Sequence, residues 1–166
     1  MQSNWGVDTA GGTHFNTYDW DVSAFMRRLG FHWARVWSWQ VLEDVGFSYE
    51  LHNLSPEQGL RAANLWVNNL KKHGIGILVS VHPRFKYATQ GLTPWPPKTK
   101  AEYADYEANL REIMSRFGDR IDYWEVGNEP YSGSTTPENY ARWVRETVRI
   151  LRETDPGAKI ISLAGA

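Results

Sequence analysis

Short apolar segments alternate with amphipathic segments along the chain, and this alternation constrains the fold more than any other feature. The five predicted strands span 4–8, 32–37, 76–81, 123–130 and 159–163, and the four predicted helices span 18–29, 55–72, 99–117 and 136–153. Strands that alternate with helices run parallel and are joined by right-handed crossovers. We therefore predict an α/β fold with one parallel sheet.

Local signals support these elements. Ser55 followed by Pro56 is a strong helix start, because serine caps a helix and proline fits its first turn. Gly30 and Gly74 stand where helices are expected to stop. The run from Ile77 to Val81 is almost continuously apolar, which is typical of a parallel strand that is buried on both faces.

Composition excludes several classes of function. The 166 residues carry a net charge of −1, so nothing favours nucleic acid or an anionic membrane as a partner. No apolar run is long enough to span a bilayer, and the first residues lack the pattern of a signal peptide. The sequence does not determine the localisation, and secretion is compatible with it. The absence of cysteine excludes disulfides and thiolate metal sites.

Polar side chains at the ends of the strands favour a barrel over a doubly wound sheet. After the first strand, Gly11-Gly12 lacks the glycine spacing of a nucleotide-binding turn. The strand ends carry Arg35, His82 and Glu129 instead, which is where a (β/α)8 barrel keeps its chemistry. A complete barrel needs roughly 250 residues. We therefore predict a parallel (β/α)8 TIM-barrel type, with 1–166 supplying only β1 to β5 of a single catalytic domain.

The fourth strand ends in the polar pair Asn128-Glu129, which Pro130 follows. A glutamate at its ordinary pKa of about 4.3 is ionised, but burial or a neighbouring carboxylate raises that pKa and makes it a proton donor. Asn128 offers both a donor and an acceptor, so it can hold a substrate hydroxyl. The alternative is that Glu129 only caps the following loop.

The segment from Asp122 to Pro130 resembles the fourth-strand motif of the retaining (β/α)8 glycoside hydrolases of clan A, which include cellulases, xylosidases and iduronidase-like enzymes. The segments 34–37 and 81–83 are similar to the second and third strands of that clan. The resemblance implies that Glu129 is the general acid/base and that Asn128 binds the sugar 2-hydroxyl. It also implies that Arg35 orients the catalytic carboxylates and that His82 lines the adjacent subsite.

The alternation of side chains along a strand leads to related expectations. If Glu129 faces the barrel axis, Glu125 and Gly127 should face it too, and Glu125 then needs a cationic partner. Arg35 lies on an inward face by the same rule, since Ala34 and Val36 suit the helix side. A purely structural ion pair is the alternative for Arg35, and a core or loop histidine is the alternative for His82.

Tryptophan is unusually frequent, with nine in the chain. We assign Trp20, Trp66 and Trp143 to packing, because they lie within predicted helices. A second group lies at or after strand ends, where flat rings can stack on sugars or simply plug loops. That group of candidate substrate-binding residues comprises Trp37, Trp39 and Trp95, together with His14 after the first strand.

A retaining glycosidase needs a second carboxylate as nucleophile. By resemblance it is a glutamate at the end of the seventh strand, which lies beyond this sequence; Asp8 ends the first strand, a position that the clan does not use. We therefore expect a complementing C-terminal barrel half, as a separate chain or as a remainder, or else self-association that covers the fifth strand.

The predicted function is a retaining glycoside hydrolase that acts on β-glycosidic bonds of an oligo- or polysaccharide. The alternative is a non-catalytic carbohydrate-binding or scaffold half-barrel. We expect no cofactor. A metal-dependent hydrolase is disfavoured because the histidines show no H-x-H or H-E-x-x-H spacing. The five histidines are His14, His32, His52, His73 and His82.

Overall fold

Five parallel strands form one sheet, in which each strand pairs with the strand that follows it along the chain. The computed structural model describes residues 6–8, 22–37, 56–81, 96–128 and 136–164. A doubly wound sheet reverses its strand order at a switch point, whereas the described strands keep one order throughout. This order is that of a barrel wall. The strands are β1 Gly6–Asp8, β2 Trp33–Trp37, β3 Gly76–Val81, β4 Tyr123–Asn128 and β5 Ile160–Ala164.

In the described residues, four α-helices lie between these strands, and a short 3-10 turn, Gly118–Arg120, precedes β4. The helices are α1 Val22–Arg28, α2 Pro56–Lys72, α3 Lys100–Phe117 and α4 Pro137–Thr154. The described ends of the predicted strands and helices fall within about two residues of these bounds. The predicted first turn of α1, at 18–21, and the cap Ser55 lie outside the described residues. None of the described helices is long and apolar enough to cross a membrane.

Side chains cap the last two described helices. The Thr99 hydroxyl accepts a hydrogen bond from the Glu102 backbone at 3.2 Å, and the Glu102 carboxylate accepts one from the Thr99 backbone at 2.8 Å. This reciprocal capping box satisfies amide groups that have no partner inside the helix. The Thr136 hydroxyl accepts from the Asn139 backbone at 3.3 Å, and Pro137 occupies the first turn of α4.

The core lies between the helices and one face of the sheet. Ala34 and Val36 of β2 point into it and are fully buried, which confirms the predicted faces of that strand. Trp66 and Trp143 are also buried, as predicted for packing residues, whereas Trp20 lies outside the described residues. The sheet and the helices share the remaining large buried side chains, among them Leu70, Ile77, Val79, Phe117, Trp124, Val126, Ile150 and Leu151.

An ion-pair network joins the outer surfaces of α3 and α4. Arg111 donates to Glu153 at 2.7 Å, and Arg149 donates to Glu107 at 2.7 Å. Hydrogen bonds from Arg111 and then Arg149 lower the pKa of Glu107, and hydrogen bonds from Arg149 and then Arg111 lower the pKa of Glu153. The network therefore favours the ionised form of both carboxylates.

Strands β1 and β5 are the two edges of the described sheet. Ile161 of β5 leaves 39% of its surface exposed, which is unusual for an isoleucine in a parallel strand. An edge strand presents unpaired backbone donors and acceptors to any chain that can pair with it. The wall is thus open at both edges, as expected for part of a barrel.

Candidate functional site

A buried ion pair lies on the face of the sheet that points away from the helices. The Arg35 Nε atom, on β2, donates to the Glu125 Oε2 atom, on β4, at 2.7 Å. Only 6% of the Glu125 side chain is exposed, against 20% of the Arg35 side chain. The pairing is the one that strand alternation predicted. The role of both residues toward a substrate stays a prediction.

Ser80 connects this pair to the strand between them. It is fully buried and lies opposite Glu125 in the register of β3 with β4. The Arg35 Nη2 atom donates to its hydroxyl at 3.4 Å, a long hydrogen bond. Three neighbouring strands therefore contribute polar side chains to one level of the inner face. The polar level replaces the aliphatic filling that a purely structural barrel interior would have.

Aromatic side chains form a floor below this level, at the amino-terminal ends of the strands. The ring centroids of Trp33 and Tyr123 lie 5.4 Å apart in an edge-to-face arrangement. The Trp33 ring also covers Gly76, where even a Cβ atom would overlap it. The Lys159 Nζ atom lies 5.3 Å from the centre of the Tyr123 ring. The floor thus lies at the amino-terminal ends of β2, β3 and β4, below the level of Arg35 and Glu125.

This floor was not predicted from the sequence. By strand alternation Trp33 shares the face of Arg35, and Gly76 is the first residue of the predicted third strand. A glycine that lies beside a large aromatic residue on the adjacent strand could have indicated this contact. Using that signal requires knowing which residues of the two strands are register partners. Trp33 and Gly76 are register partners.

One expectation about β4 is wrong. Gly127 was expected to share the inner face with Glu125, but a Cβ atom built on Gly127 meets the hydroxyl group of Tyr140 on helix α4. The cause is the backbone of Gly127, whose φ of +102° lies in the left-handed region. Simple alternation fails at a residue of this kind, because its side-chain direction turns relative to the strand.

The other predicted site residues occupy the carboxyl-terminal edge of the sheet or lie outside the described part. Trp37 and Asn128 end β2 and β4, and the structure describes their backbones alone. Asn128 pairs with Ala164 of β5. The remaining candidates lie outside the described residues, and their roles stay predictions; they are Glu129, His82, His14, Trp39 and Trp95.

Within the described ranges, no group of three or more histidine, aspartate or glutamate side chains is arranged to hold a metal ion. At the level of Arg35, the described side chains of the inner face offer one carboxylate, one guanidinium and one hydroxyl group. These groups hold charge and donate hydrogen bonds, and the strand end above them adds an amide and a second carboxylate in sequence. This combination suits the recognition of hydroxyl groups and proton transfer.

The curated relatives and the solved structures described below all carry the names of enzymes that cleave glycosidic bonds. No family model matches the chain. A mannan endo-1,4-beta-mannosidase F from Aspergillus clavatus is 22% identical over 169 residues, which cover 86% of this chain and 38% of that protein. A beta-galactosidase from Pyrococcus woesei is 24% identical over 136 residues, which cover 62% of this chain and 26% of that protein. The chain therefore spans less than two fifths of either curated relative.

Solved structures match nearly the whole chain. A beta-glucosidase from Thermotoga maritima superposes with a TM-score of 0.63 at 20% identity, over 98% of this chain and 48% of that one. A family 39 glycoside hydrolase from Bacteroides cellulosilyticus superposes with a TM-score of 0.62 at 19% identity, over 95% of this chain and 30% of that one. The chain thus has the fold of a five-strand portion of a TIM barrel, shared with clan A glycoside hydrolases as its motifs predicted.

Proposed function

We propose that this chain carries the acid/base part of a retaining glycoside hydrolase that cleaves β-glycosidic bonds. The observation that carries the proposal is the buried Arg35–Glu125 pair on the inner face of a barrel wall, directly below the strand end that continues into Asn128-Glu129. The names of the related proteins support the same chemistry, because mannosidase, galactosidase and glucosidase are all named for β-linked sugars.

Each residue has a specific role in this proposal. Glu129 protonates the leaving glycosidic oxygen and then, as a carboxylate, takes a proton from the water that releases the sugar. Asn128 holds the 2-hydroxyl of the sugar, where a hydrogen bond strengthens as the transition state forms. Arg35 balances the negative charge of Glu125 and fixes its position, so that the groups above the pair stand on a rigid base.

The residues around the mouth complete the proposed site. His82 follows β3 directly and lines the subsite next to the cleaved bond. The rings of Trp37, Trp39 and Trp95 contact sugar faces, and His14 reaches the same mouth from the loop after β1. These assignments rest on the positions of the residues in the sequence and on the resemblance to the clan.

The nucleophile comes from a C-terminal portion of the barrel in this proposal. A retaining mechanism requires two carboxyl groups about 5–5.5 Å apart across the bond that is cleaved. The open edges of the sheet and the partial coverage of the related structures support a missing complement, either as the remainder of a longer protein or as a separate chain. This chain alone should therefore lack turnover.

Replacing Glu129 by Gln tests the proposal in the barrel completed by its C-terminal half. Turnover of aryl β-glycosides bearing poor leaving groups should fall by about 100-fold or more, the usual contribution of a general acid. Sugar binding should persist, because the amide keeps the shape of the side chain. The matched control is Glu112→Gln, since Glu112 lies on the exposed surface of α3, where it forms an ion pair with Arg116.

The alternative function, a carbohydrate-binding half-barrel without chemistry, predicts a different result. The completed barrel would then bind sugar but show no turnover even as the wild type. Equal turnover of the wild type and the Glu129→Gln variant would instead exclude Glu129 as the acid/base.

A further inference from the structure

Strand β3 carries small residues at two positions of its inner face. Ile77 and Val79 are fully buried on the helix side of the sheet. The residues that alternate with them therefore belong to the inner face, and they are Gly76, Leu78 and Ser80. The inner face of β3 is thus small at Gly76 and Ser80 and large only at Leu78 between them.

The Arg35 side chain crosses β3 at Ser80. Arg35 is the register partner of Leu78 on β3. Its ion-pair partner Glu125 is the register partner of Ser80, two residues further toward the carboxyl ends of the strands. The guanidinium group therefore spans the width of a whole strand, because β2 and β4 lie about 10 Å apart on either side of β3.

Ser80 lies directly beneath this crossing. The Arg35 Nη2 atom is 3.4 Å from the Ser80 hydroxyl oxygen, while the Arg35 Nε atom is 2.7 Å from the Glu125 carboxylate. Ser80 is fully buried, and the Glu125 side chain is 6% exposed. A larger side chain at position 80 would occupy the space in which the guanidinium group lies.

The same kind of crossing occurs nearer the amino-terminal ends of the strands. The Trp33 ring lies over Gly76, where a Cβ atom would overlap it. The ring also contacts Tyr123 on β4, with ring centroids 5.4 Å apart. Two side chains of β2 thus reach β4 directly, and each crossing coincides with a residue of β3 that leaves space above the strand.

We propose that Ser80 is a positioning residue of the site. Its small side chain leaves the space in which Arg35 lies against Glu125, and its hydroxyl group accepts a hydrogen bond from the guanidinium group. Arg35 thereby links β2 directly to β4, the strand that ends in Asn128. The use of this link in sugar hydrolysis rests on the proposed function. The link itself follows from contacts between side chains of β2, β3 and β4.

Two substitutions separate the space from the hydroxyl group. Ser80→Ala keeps the space and removes only a long hydrogen bond, so the urea midpoint should fall by no more than about 0.5 M. Ser80→Val puts two methyl groups where the guanidinium group lies, and the midpoint should fall by about 1 M or more. The matched control is Ser115→Val on the exposed surface of α3, where the midpoint should stay within about 0.3 M of the wild type.

The decisive measurement is the effect of Ser80→Val in a chain without the ion pair. With Arg35→Ala and Glu125→Leu, neither the guanidinium group nor the buried carboxylate is present, so the valine enters space that is already empty. Its effect on the urea midpoint should then be less than half of its effect in the wild type. If Ser80 only packs against its other neighbours, the fall will be the same in both backgrounds, and that result would overturn the proposal.

A crystal structure of the Ser80→Ala variant gives a test that needs no strongly destabilised protein. The Arg35 Nε atom should remain within hydrogen-bond distance of the Glu125 carboxylate, because the space is unchanged. Displacement of the guanidinium group in this variant would overturn the proposal, since the space alone would then not hold the pair in place.

The barrel completed by its C-terminal half tests the use of the link in hydrolysis. Ser80→Val should lower kcat for an aryl β-glycoside by about 100-fold, the effect of a small misplacement near the reacting groups, whereas Ser115→Val should keep the wild-type kcat. If the valine is tolerated only without the ion pair but kcat is unchanged, the positioning of Arg35 stands and its use in the proposed function is refuted. If the valine is equally harmful in both backgrounds, the positioning role is refuted whatever the activity.

Discussion

Removing Arg35 should expose how much the fold depends on a single buried ion pair. Arg35→Met keeps the length of the side chain and leaves the Glu125 carboxylate, 6% exposed, without its 2.7 Å partner. Deleting one member of a buried pair costs about 3–5 kcal/mol, because the remaining charge stays desolvated. The exposed fifth of the Arg35 side chain places the pair near the lower end, so we expect a loss of about 3 kcal/mol in the free energy of unfolding.

Urea unfolding followed by far-UV circular dichroism measures this loss. With a denaturant dependence of about 2 kcal/mol per molar urea, the midpoint should fall by roughly 1.5 M. Replacing both partners, as Arg35→Met with Glu125→Leu, removes the buried charge altogether and should restore stability to within about 1 kcal/mol of the wild type. The double variant should therefore lose much less stability than the two single variants added together.

A matched control uses an exposed ion pair with a similar N···O distance. Arg116 contacts Glu112 at 2.6 Å on the surface of α3, and Arg116→Met should cost less than about 0.5 kcal/mol because solvent screens the pair. The reasoning would be refuted if Arg35→Met were as harmless as Arg116→Met. It would also be refuted if the double replacement of Arg35 and Glu125 were as damaging as the two single losses added together.

Three further predictions concern the helices. Thr99→Ala removes the capping box of α3 and should cost about 1 kcal/mol in urea unfolding, whereas Thr99→Ser should not; equal stability of the two variants would contradict the capping role. Tyr106→Phe removes a buried 2.6 Å hydrogen bond to Thr147 and should cost about 1–2 kcal/mol, and an unchanged midpoint would argue against that bond. Arginines lower the pKa of Glu107 and Glu153 in the folded chain, so the stability from these groups is complete above the ordinary pKa of glutamate and is lost as pH falls below it. The midpoint measured at pH 6 and pH 3 should therefore fall less in a variant with Gln at both positions than in the wild type, and an equal fall would exclude the network as the cause.

Much of the wall was predictable because its signals are local. Thr99 and Thr136 stand directly before helical patterns, and a side-chain cap depends on residues only three positions apart. The faces of β2 followed from its alternation, because Ala34 and Val36 are small and apolar between larger residues. The partner of Glu125 was also predictable, since a buried carboxylate needs a cation and Arg35 was the inward-facing one.

The features that escaped prediction depend on tertiary contacts or on a single backbone angle. A glycine in a strand can mark a weak point, a break or a close approach, and sequence does not distinguish these. At Gly127 the alternation of side chains along β4 breaks, and a Cβ atom there would meet Tyr140. At Gly76 the backbone closely approaches the ring of Trp33. Alternation alone therefore failed at the residue before the candidate catalytic pair.

The most direct test of the central claim, that Glu129 is the acid/base of a retaining glycosidase, is azide rescue of a Glu129→Ala variant in the completed barrel. The substrate is an activated aryl β-glycoside, whose leaving group needs no proton. A retaining enzyme without its acid/base still forms the glycosyl-enzyme intermediate, and azide attacks it without help from a general base. The account predicts that azide restores the rate and gives a β-glycosyl azide. Loss of turnover that azide does not restore, or wild-type turnover without azide, would contradict it.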